Sequence, residues 1–343
     1  MSKPLVSVII PTYNYAHYIS KAIDSILSQN YPADCIEIIV YDDGSKDNTR
    51  AVVQDYVEKA GVKYFFQQNK GKACATYKAI LESKGKYVFN LDADDYFFPE
   101  KIAATVAIFE GDADIVHVAS PARIVRDFEE LDDFEQIPEE ITEKAIDGNY
   151  LSMYFLKKHM LYGGGSTYAA RASALKKIVI PDSVDMYIDE FLILAIFPYG
   201  KSYFIKEPLS VWRSHSFNYS GNAVNKEDKA RKGKRLLASS TGVLEYLENN
   251  NFDKYLIKIY RLQDLTRRIS FKEDQGTKGI GDIVKFATDV FIKLRPGWRL
   301  IKNYYVINRL VPTAVLNGIK AKSRPKPMNQ TAELSSQAQG SGL

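Results

Sequence analysis

The sequence predicts an α/β protein with a mostly parallel sheet and helices on both of its faces. Over the first 120 residues, short apolar runs rich in Val and Ile alternate with segments of helical periodicity, which is typical of repeated strand–helix–strand units. The 343 residues are 45% hydrophobic and 26% charged. That length accommodates one α/β domain of roughly 200–250 residues and a further extension.

The elements follow one another in a regular order. Runs at 5–10, 36–41, 62–66 and 87–91 have the continuous apolar character of strands buried on both faces. Helices are predicted between them at 15–28, 48–60 and 72–83, and Pro99 suits the first turn of the next helix. A strand at 115–119, a helix at 149–159, a strand at 166–170, a helix at 186–197 and a strand at 202–206 complete the pattern. The acidic stretch 128–148 predicts an irregular surface segment.

Charge divides the chain into an acidic front part and a basic back part. Residues 1–228 contain 24 Lys and Arg against 33 Asp and Glu, whereas residues 229–326 contain 22 against 8. We therefore expect an α/β domain over 1–225 and a basic helical extension over 226–322. The Pro, Ser and Gln content of residues 323–343 predicts a disordered tail.

The extension predicts a contact surface. Apolar residues recur at helical spacing over 280–294, Pro296 ends that pattern, and a second basic segment starts at Trp298. Basic amphipathic helices with aromatic side chains suit an anionic membrane surface. The alternatives are packing on the α/β domain or on a second subunit of a homo-oligomer. The positive charge of the extension could also suit a nucleic acid, but no recognised nucleic-acid-binding module accompanies it, so we expect no nucleic-acid partner.

No apolar run reaches the length of about 18 residues that a membrane-spanning helix needs, and the first residues lack the apolar core of a signal peptide. We therefore expect a cytoplasmic protein, peripheral on the inner face of the cell membrane if the extension binds lipid. The two cysteines have no metal-binding spacing.

Polar residues follow three of the predicted parallel strands. Pro11, Thr12, Tyr13 and Asn14 follow the first, Asp42 and Asp43 the second, and Asp92, Asp94 and Asp95 the fourth. Because the carboxyl ends of parallel strands meet at one edge of a sheet, we expect a shared site there. Three carboxylates at one place favour a divalent cation that carries a nucleotide diphosphate; a solvated acidic turn is the alternative. Lys70 and Lys72 begin the third helix, where they could meet the diphosphate or form a solvated helix end.

The chain resembles a known family in two stretches. The opening VSVIIPTYNYAHYISKAIDSILSQNYPADCIEIIVYDDGSKDNT resembles the start of family 2 glycosyltransferases, which have the Rossmann-like GT-A fold. The stretch QNKGKACATYKAILESKGKYVFNLDADD resembles the segment that leads into the Asp-x-Asp motif of that family. The resemblance is strong over residues 5–120 and weaker to about 222. It implies a metal-dependent, inverting transfer of a sugar, such as a hexose, from a nucleoside-diphosphate sugar to a glycan or lipid-linked acceptor of a cell-surface polysaccharide. A UDP-sugar is the favoured donor.

The resemblance also implies roles for individual residues. Pro11, Thr12 and Tyr13, with Asn14 beside them, would line the nucleotide pocket, and Asp43 would contact the base. Asp92 and Asp94 match the Asp-x-Asp pair, which contacts the ribose and binds Mg²⁺ or Mn²⁺; Asp94 and Asp95 are the favoured metal ligands. The letters WRSH at 212–215 resemble the family's Tyr-Arg-x-His ending, which places Arg213 near the diphosphate and His215 in the metal shell. A purely structural histidine is the alternative.

The base that starts the reaction should come from an acidic pair on a helix in the second half. Asp189 and Glu190 fit this position, although the order is the reverse of the usual Glu-Asp. Asp189 aligns better with the family base, and both acids stay candidates; an acidic pair that only stabilises the helix N-terminus is the alternative. Two other functions are alternatives. A sugar nucleotidyltransferase would show a glycine-rich loop after the first strand, and a non-catalytic sugar-nucleotide-binding protein would lack the acidic pair.

Overall fold

The structure, a computed structural model, describes residues 3–126, 129–215, 218 and 225–310. The predicted disordered tail and residues 311–322 of the predicted extension lie outside the described residues. The strands are β1 (Val6–Thr12), β2 (Ile36–Asp42), β3 (Lys63–Phe66), β4 (Tyr87–Asn90), β5 (Tyr96–Phe97), β6 (Ile115–Ala119), β7 (Ala122–Arg126), β8 (Glu129–Phe134), β9 (Ala145–Asp147), β10 (Tyr168–Arg171), β11 (Lys201–Phe204) and β12 (Ser210–Ser214).

The helices predicted at 15–28, 48–60, 72–83, 149–159 and 186–197 are close to the observed positions. The described residues form twelve α-helices. They are α1 (Ile19–Leu27), α2 (Thr49–Ala60), α3 (Lys72–Glu82), α4 (Lys101–Gly111), α5 (Gly148–Lys158), α6 (Ala172–Leu175), α7 (Ile188–Ile196), α8 (Lys226–Asn249), α9 (Lys254–Asp274), α10 (Ile280–Ala287), α11 (Trp298–Asn303) and α12 (Val306–Leu310). The single helix predicted over 280–294 is α10 followed by a π-helical segment, Thr288–Leu294.

The main sheet has the predicted, mostly parallel character. Its strand order is β3-β2-β1-β4-β10-β6-β11-β9. The first four strands in that order are parallel neighbours, with Val6–Thr12 of β1 paired to Ile36–Asp42 of β2. Strand β10 is inserted between β4 and β6 and is antiparallel to both. This insertion brings the residues that precede β10 to the edge where β1, β2 and β4 end.

A second, four-stranded sheet has the order β5-β12-β7-β8 and was not predicted from the sequence. The prediction of an irregular segment over 128–148 is wrong for the described residues, which include β8 and β9. Strand β8 forms a hairpin with β7 and is at the edge of the second sheet. Charged residues are common on edge strands because they oppose pairing with other chains. The acidic composition of β8 therefore did not indicate a strand.

The helices form two layers on the main sheet. One apolar cluster contains side chains of α1, α2 and α4 beneath one sheet face. The other contains α3, α5 and α7 and continues without a break into α8–α12. Tyr304, which is 1% exposed, donates a hydrogen bond from its hydroxyl to the Leu156 carbonyl at 2.6 Å. The described part of the basic extension therefore packs on the α/β domain. Within the described residues, no helix combines the length and apolar character needed to cross a membrane.

Candidate active site

A cleft opens where β1, β2 and β4 end. Its walls are completed by the 163–166 loop, the start of α7 and the start of α8. The structure brings most of the predicted site residues to this cleft: Pro11, Thr12, Tyr13, Asn14, Asp43, Lys72, Asp92, Asp94, Asp95 and Asp189. The hydroxyl Oγ1 of Thr12 is buried without a hydrogen-bond partner among the described residues.

The turn after β1 is tied to the turn after β2. Asn14 has a φ of 59°, a left-handed conformation that asparagine tolerates better than most residues. Its backbone N–H donates to Ser45 Oγ at 2.8 Å, and its Oδ1 accepts from the Lys46 N–H at 2.8 Å. This turn delays the start of α1 to Ile19, four residues after the predicted start. These two hydrogen bonds join the turn after β1 to the turn after β2.

Asp43 fixes the loop that leads into α3. Its Oδ1 accepts hydrogen bonds from Lys70 N at 2.8 Å and Gln67 Nε2 at 2.7 Å, and its Oδ2 accepts from Gly71 N at 2.8 Å. Gly71 has a φ of 97°, and a Cβ there would collide with the Asp185 carboxylate. The side chain of Lys70 is exposed, and its contact with a diphosphate stays a prediction.

Three carboxylates form the acidic centre of the cleft. Asp92, Asp94 and Asp95 each offer an oxygen within 4.8 Å of the others. Ser166 Oγ accepts from Asp92 N at 2.9 Å and donates to Asp95 Oδ2 at 2.5 Å, which holds the cluster in place. Burial and the neighbouring negative charges raise the pKa of Asp94 and of Asp95 above the ordinary value. A cation at this point would remove the repulsion, and carboxylate oxygens are ligands that Mg²⁺ and Mn²⁺ accept.

His215 lies against this cluster. Its Nε2 is 3.2 Å from Asp94 Oδ2, and its ring stacks on Tyr18 with 4.3 Å between the ring centres. Asn218 Nδ2 donates to the same Asp94 oxygen at 2.9 Å. Arg213 lies behind the aspartates: its backbone N–H donates to Asp95 Oδ1 at 3.0 Å and its Nε donates to the Asp94 carbonyl. The structure thus shows Arg213 bound to two of the aspartates, and its contact with a diphosphate stays a prediction.

Lys72 joins the acidic cluster to the opposite wall. Its Nζ is 2.7 Å from Asp92 Oδ2 and 3.7 Å from Asp189 Oδ2. Burial alone would lower the pKa of Lys72, but the carboxylates of Asp189 and Asp92 raise it above the ordinary value. Lys72 is therefore a fixed cation between two carboxylates that come from different halves of the chain.

Asp189 is held close to a glycine loop. Burial raises its pKa, and the charge of Lys72 opposes that shift. The Asp189 carboxylate accepts a hydrogen bond from Gly165 N. A Cβ on Gly164 would be 2.9 Å from the Asp189 Cβ, so this position has no room for a side chain. A carboxylate with a raised pKa is a stronger base than one with the ordinary value.

Glu190 points away from the cleft. Its carboxylate accepts from Arg267 at 2.6 and 3.0 Å, from Tyr260 Oη at 2.5 Å and from Gln263 Nε2 at 3.1 Å. Burial would raise the pKa of Glu190, but Arg267 lowers it below the ordinary value. Adjacent residues on a helix do not face the same way, so only Asp189 of the predicted pair reaches the cleft.

The motif Gly163-Gly164-Gly165-Ser166 also lines the cleft. Its sequence predicts either a close backbone approach to the donor or acceptor sugar or a flexible turn. Arg231 and Arg235 of α8 also line the cleft, and Arg235 Nε donates to Asp185 Oδ2 at 2.6 Å. Glu135 lines the cleft with a buried Oε2 that has no hydrogen-bond partner among the described residues. No local pattern distinguishes these residues from surface charges.

The mostly parallel sheet and the acidic cleft at its edge have the character predicted for the GT-A fold. The family model described as Glycosyl transferase family 2 matches residues 7–179. An uncharacterised glycosyltransferase of Nostoc sp. is 30% identical over 281 residues, which are 78% of this chain and 81% of that protein. This chain belongs to glycosyltransferase family 2 and is a glycosyltransferase.

Other relatives match shorter parts of the chain. A putative teichuronic acid biosynthesis glycosyltransferase of Bacillus subtilis is 35% identical over 143 residues, 41% of this chain and 56% of that protein. An uncharacterised glycosyltransferase of Rickettsia typhi is 45% identical over 105 residues, 31% of this chain and 32% of that protein. The match to the Rickettsia protein therefore covers about a third of each of the two chains.

Solved structures share the fold over nearly the whole chain. S. aureus TarS in complex with UDP-GlcNAc superimposes with a TM-score of 0.62 and 17% identity, covering 93% of this chain and 92% of that chain. A mannosyltransferase from Pyrobaculum calidifontis, in complex with GDP-Man and Mn²⁺, gives a TM-score of 0.52 and 18% identity, covering 94% and 85%. The GT-A fold with a helical C-terminal region is confirmed by this likeness.

Proposed function

We propose that the chain is a metal-dependent, inverting glycosyltransferase. It moves a sugar from a nucleoside-diphosphate sugar, with a UDP-sugar favoured, to a hydroxyl of a glycan or lipid-linked acceptor in cell-surface polysaccharide synthesis. The observation that carries this proposal is the placement of Asp189 across one cleft from the acidic cluster, with Lys72 between them at 2.7 Å from Asp92 and 3.7 Å from Asp189. A base on one wall and the site of the departing diphosphate on the opposite wall suit a reaction with a single displacement at the anomeric carbon.

In the proposed reaction, Asp189 accepts the proton of the acceptor hydroxyl. The hydroxyl oxygen forms a bond to the anomeric carbon while the bond from that carbon to the diphosphate oxygen breaks, which releases the nucleoside diphosphate. One displacement from the face opposite the leaving group inverts the anomeric configuration. Lys72 is placed to stabilise negative charge on the departing diphosphate. Glu190 is not a base in this scheme, because its carboxylate is committed to Arg267.

The residues present fit a divalent metal at the acidic cluster. Asp94 and His215 would hold it, with Asp95 as the further candidate, although both Asp95 oxygens already accept hydrogen bonds from Ser166 and Arg213. When bound, Mg²⁺ or Mn²⁺ would neutralise the diphosphate and favour its departure. The raised pKa of Asp94 and Asp95 supports this proposal, since the site lacks enough positive charge of its own.

The choice of donor and acceptor rests on the similar proteins. TarS was crystallised with UDP-GlcNAc, and the P. calidifontis mannosyltransferase with GDP-Man and Mn²⁺. The fold therefore accommodates a nucleotide sugar with either base. The B. subtilis relative is assigned to teichuronic acid biosynthesis, which supports a polysaccharide acceptor for this chain.

The test of the base is Asp189→Asn in the full chain. We expect at least a hundredfold loss of sugar transfer because the amide cannot accept the hydroxyl proton. Donor affinity should change little, because the acidic cluster is intact. Transfer is measured as acceptor-dependent release of nucleoside diphosphate with the donor that gives the largest thermal shift in the presence of Mn²⁺, and donor affinity is measured by calorimetry. Asp182→Asn, an exposed acid on the preceding loop, is the matched control and should transfer normally. Transfer by Asp189→Asn at the wild-type rate would contradict the assignment.

A further inference from the structure

Large apolar side chains are exposed in one part of the extension. The segment from α10 to α12 exposes Ile280, Val284, Phe291, Ile292, Trp298, Tyr305 and Ile307. These are seven of the 19 large apolar side chains exposed in the described part of the chain. Ile280 is 78% exposed and Trp298 is 71% exposed. Large apolar groups concentrated in this way mark a contact surface in a water-soluble domain.

Basic side chains lie among these apolar residues. Residues 278–309 contain seven Lys and Arg and two Asp. Lys285, Lys293, Arg295, Arg299 and Lys302 are exposed. Lys293 pairs with Asp289 at 2.6 Å, whereas Lys285, Arg299 and Lys302 form no ion pair with any described residue. We call the seven exposed apolar and five exposed basic side chains the basic–apolar face.

The backbone that carries this face is firmly packed. The opposite side of the same segment is buried in the main core through Phe286, Val290, Leu294, Leu300, Tyr304 and Val306. The Tyr304 ring stacks on His159 at 4.2 Å, and Asn303 Nδ2 donates to the Lys157 carbonyl at 2.7 Å. The buried side chains therefore hold this segment in place on the core. The exposed apolar side chains lie on its other side, and they have no further packing to make within the described chain.

We propose that the basic–apolar face docks the enzyme on an anionic phospholipid bilayer surface. Apolar side chains would enter the headgroup region, with Trp298 and Tyr305 at the interface, where aromatic residues are favoured. Lys285, Arg299 and Lys302 supply unpaired positive charge to acidic lipid headgroups. A second copy of the chain suits the face less well, because a twofold contact would bring the same basic residues of both copies together.

This inference rests on the proposed function and adds that the acceptor is presented at a membrane surface. The face is joined to the cleft through the end of α5, since His159 stacks on Tyr304 and Leu161, two residues later, lines the cleft. Docking on a bilayer would therefore place the cleft beside the surface that holds a lipid-linked saccharide. The experiment below needs no transfer activity, so its failure and the failure of the proposed function are distinguishable.

The experiment is co-sedimentation of the full chain with vesicles of phosphatidylcholine alone and of phosphatidylcholine with one third phosphatidylglycerol. We expect binding to the anionic vesicles that is largely lost in 0.5 M NaCl, because the charge component is screened. Arg299→Gln/Lys302→Gln should bind about 30-fold more weakly, at roughly 1 kcal/mol for each basic side chain. Trp298→Ala should bind about tenfold more weakly, since it removes apolar area from the headgroup region.

Matched controls change the same chemistry elsewhere on the surface. Lys59→Gln/Lys84→Gln removes two exposed lysines, and Tyr150→Ala removes an aromatic ring that is 58% exposed; both should bind as the wild type does. Equal binding to neutral vesicles, no binding at all, or unchanged binding by the face variants would overturn the proposal. Sedimentation velocity gives a further outcome: a dimer that Trp298→Ala converts to monomer would assign the face to a second copy instead. The wild-type salt dependence keeps the test valid if a variant fails to fold.

Discussion

At the residue scale, the buried ring of His117 fixes the glycine loop that faces Asp189. Its Nε2 is 3.0 Å from the Gly163 carbonyl, which can only accept, so Nε2 carries the proton. Its Nδ1 then accepts from the Ser202 hydroxyl at 2.6 Å. Both nitrogens of the neutral ring are satisfied, and burial lowers the pKa of His117 from 6.5 to about 4.

This histidine should make the fold sensitive to acid. The unfolded chain binds a proton near pH 6.5, whereas the folded chain does so only near pH 4, so the free energy of unfolding decreases as the pH falls through that window. We expect the protonation of His117 to lower the free energy of unfolding by about 2 kcal/mol between pH 7 and pH 5. Urea unfolding of wild type and His117→Gln at both pH values measures the difference. An equal loss in both proteins would show that other groups are responsible.

Asp94 is the second residue whose role can be isolated. Its side chain touches His215 and Asn218 and is among the carboxylates nearest the proposed metal. Asp94→Asn should reduce Mn²⁺-dependent affinity for the donor at least tenfold, because one charged ligand is lost. Titration calorimetry with and without a chelator measures this effect. The control is Asp114→Asn, which changes an exposed aspartate directly before β6. If Asp94→Asn and wild type bind the donor equally with metal present, Asp94 is not a ligand.

At the scale of elements, α7 and α9 are joined by the buried contacts of Glu190. Arg267 forms two hydrogen bonds to Glu190 and lies 4.0 Å from the centre of the Tyr187 ring. Arg267→Met leaves the Glu190 charge without its partner and should lower the free energy of unfolding by roughly 3–5 kcal/mol. The double variant Glu190→Gln/Arg267→Met should recover part of this loss. Urea unfolding of the three proteins measures both effects; a double variant no more stable than Arg267→Met would contradict the argument.

The elements that could be predicted are those whose pattern of apolar residues indicates which of their faces are buried. Strands β1, β2 and β4 are continuous apolar runs because both faces are covered, and their ends placed Thr12, Asp43 and Asp94 at one edge. The second sheet has no such pattern, since β5 is two residues long and β8 is an acidic edge strand.

The detailed arrangement of the site depends on contacts between distant segments. Ser166 reaches Asp92 and Asp95 across more than 70 positions in sequence, and Glu190 turns away from the cleft only because α9 supplies Arg267. Such contacts are not visible in local periodicity. The pair Asp189 and Glu190 could therefore be located from the sequence, whereas the choice of the acid that faces the cleft needed the packed structure.

At the scale of the whole molecule, the cleft is built from the α/β domain and from the first helix of the extension. Asp43 and Asp94 come from the first hundred residues, while Arg231 and Arg235 come from α8. A ligand that fills this cleft should stabilise the entire fold. A UDP-sugar at 100 times its Kd with Mn²⁺ should add about 2.7 kcal/mol to the free energy of unfolding, seen as a higher Tm in a thermal-shift assay. Chelation should remove most of the increase; an equal shift with chelator present would exclude the metal from donor binding.

The insertion of β10 between β4 and β6 also has a consequence for synthesis of the chain. Strand β4 is fully buried and can pair with β1 as soon as it emerges, but its other neighbour follows roughly 80 residues later. At a ribosomal rate of about 5–20 residues per second, the apolar edge of β4 stays open for several seconds. An open edge of this kind pairs readily with other chains. Fragments that end before Tyr168 should therefore aggregate, and the nascent enzyme needs protection until β10 closes the sheet.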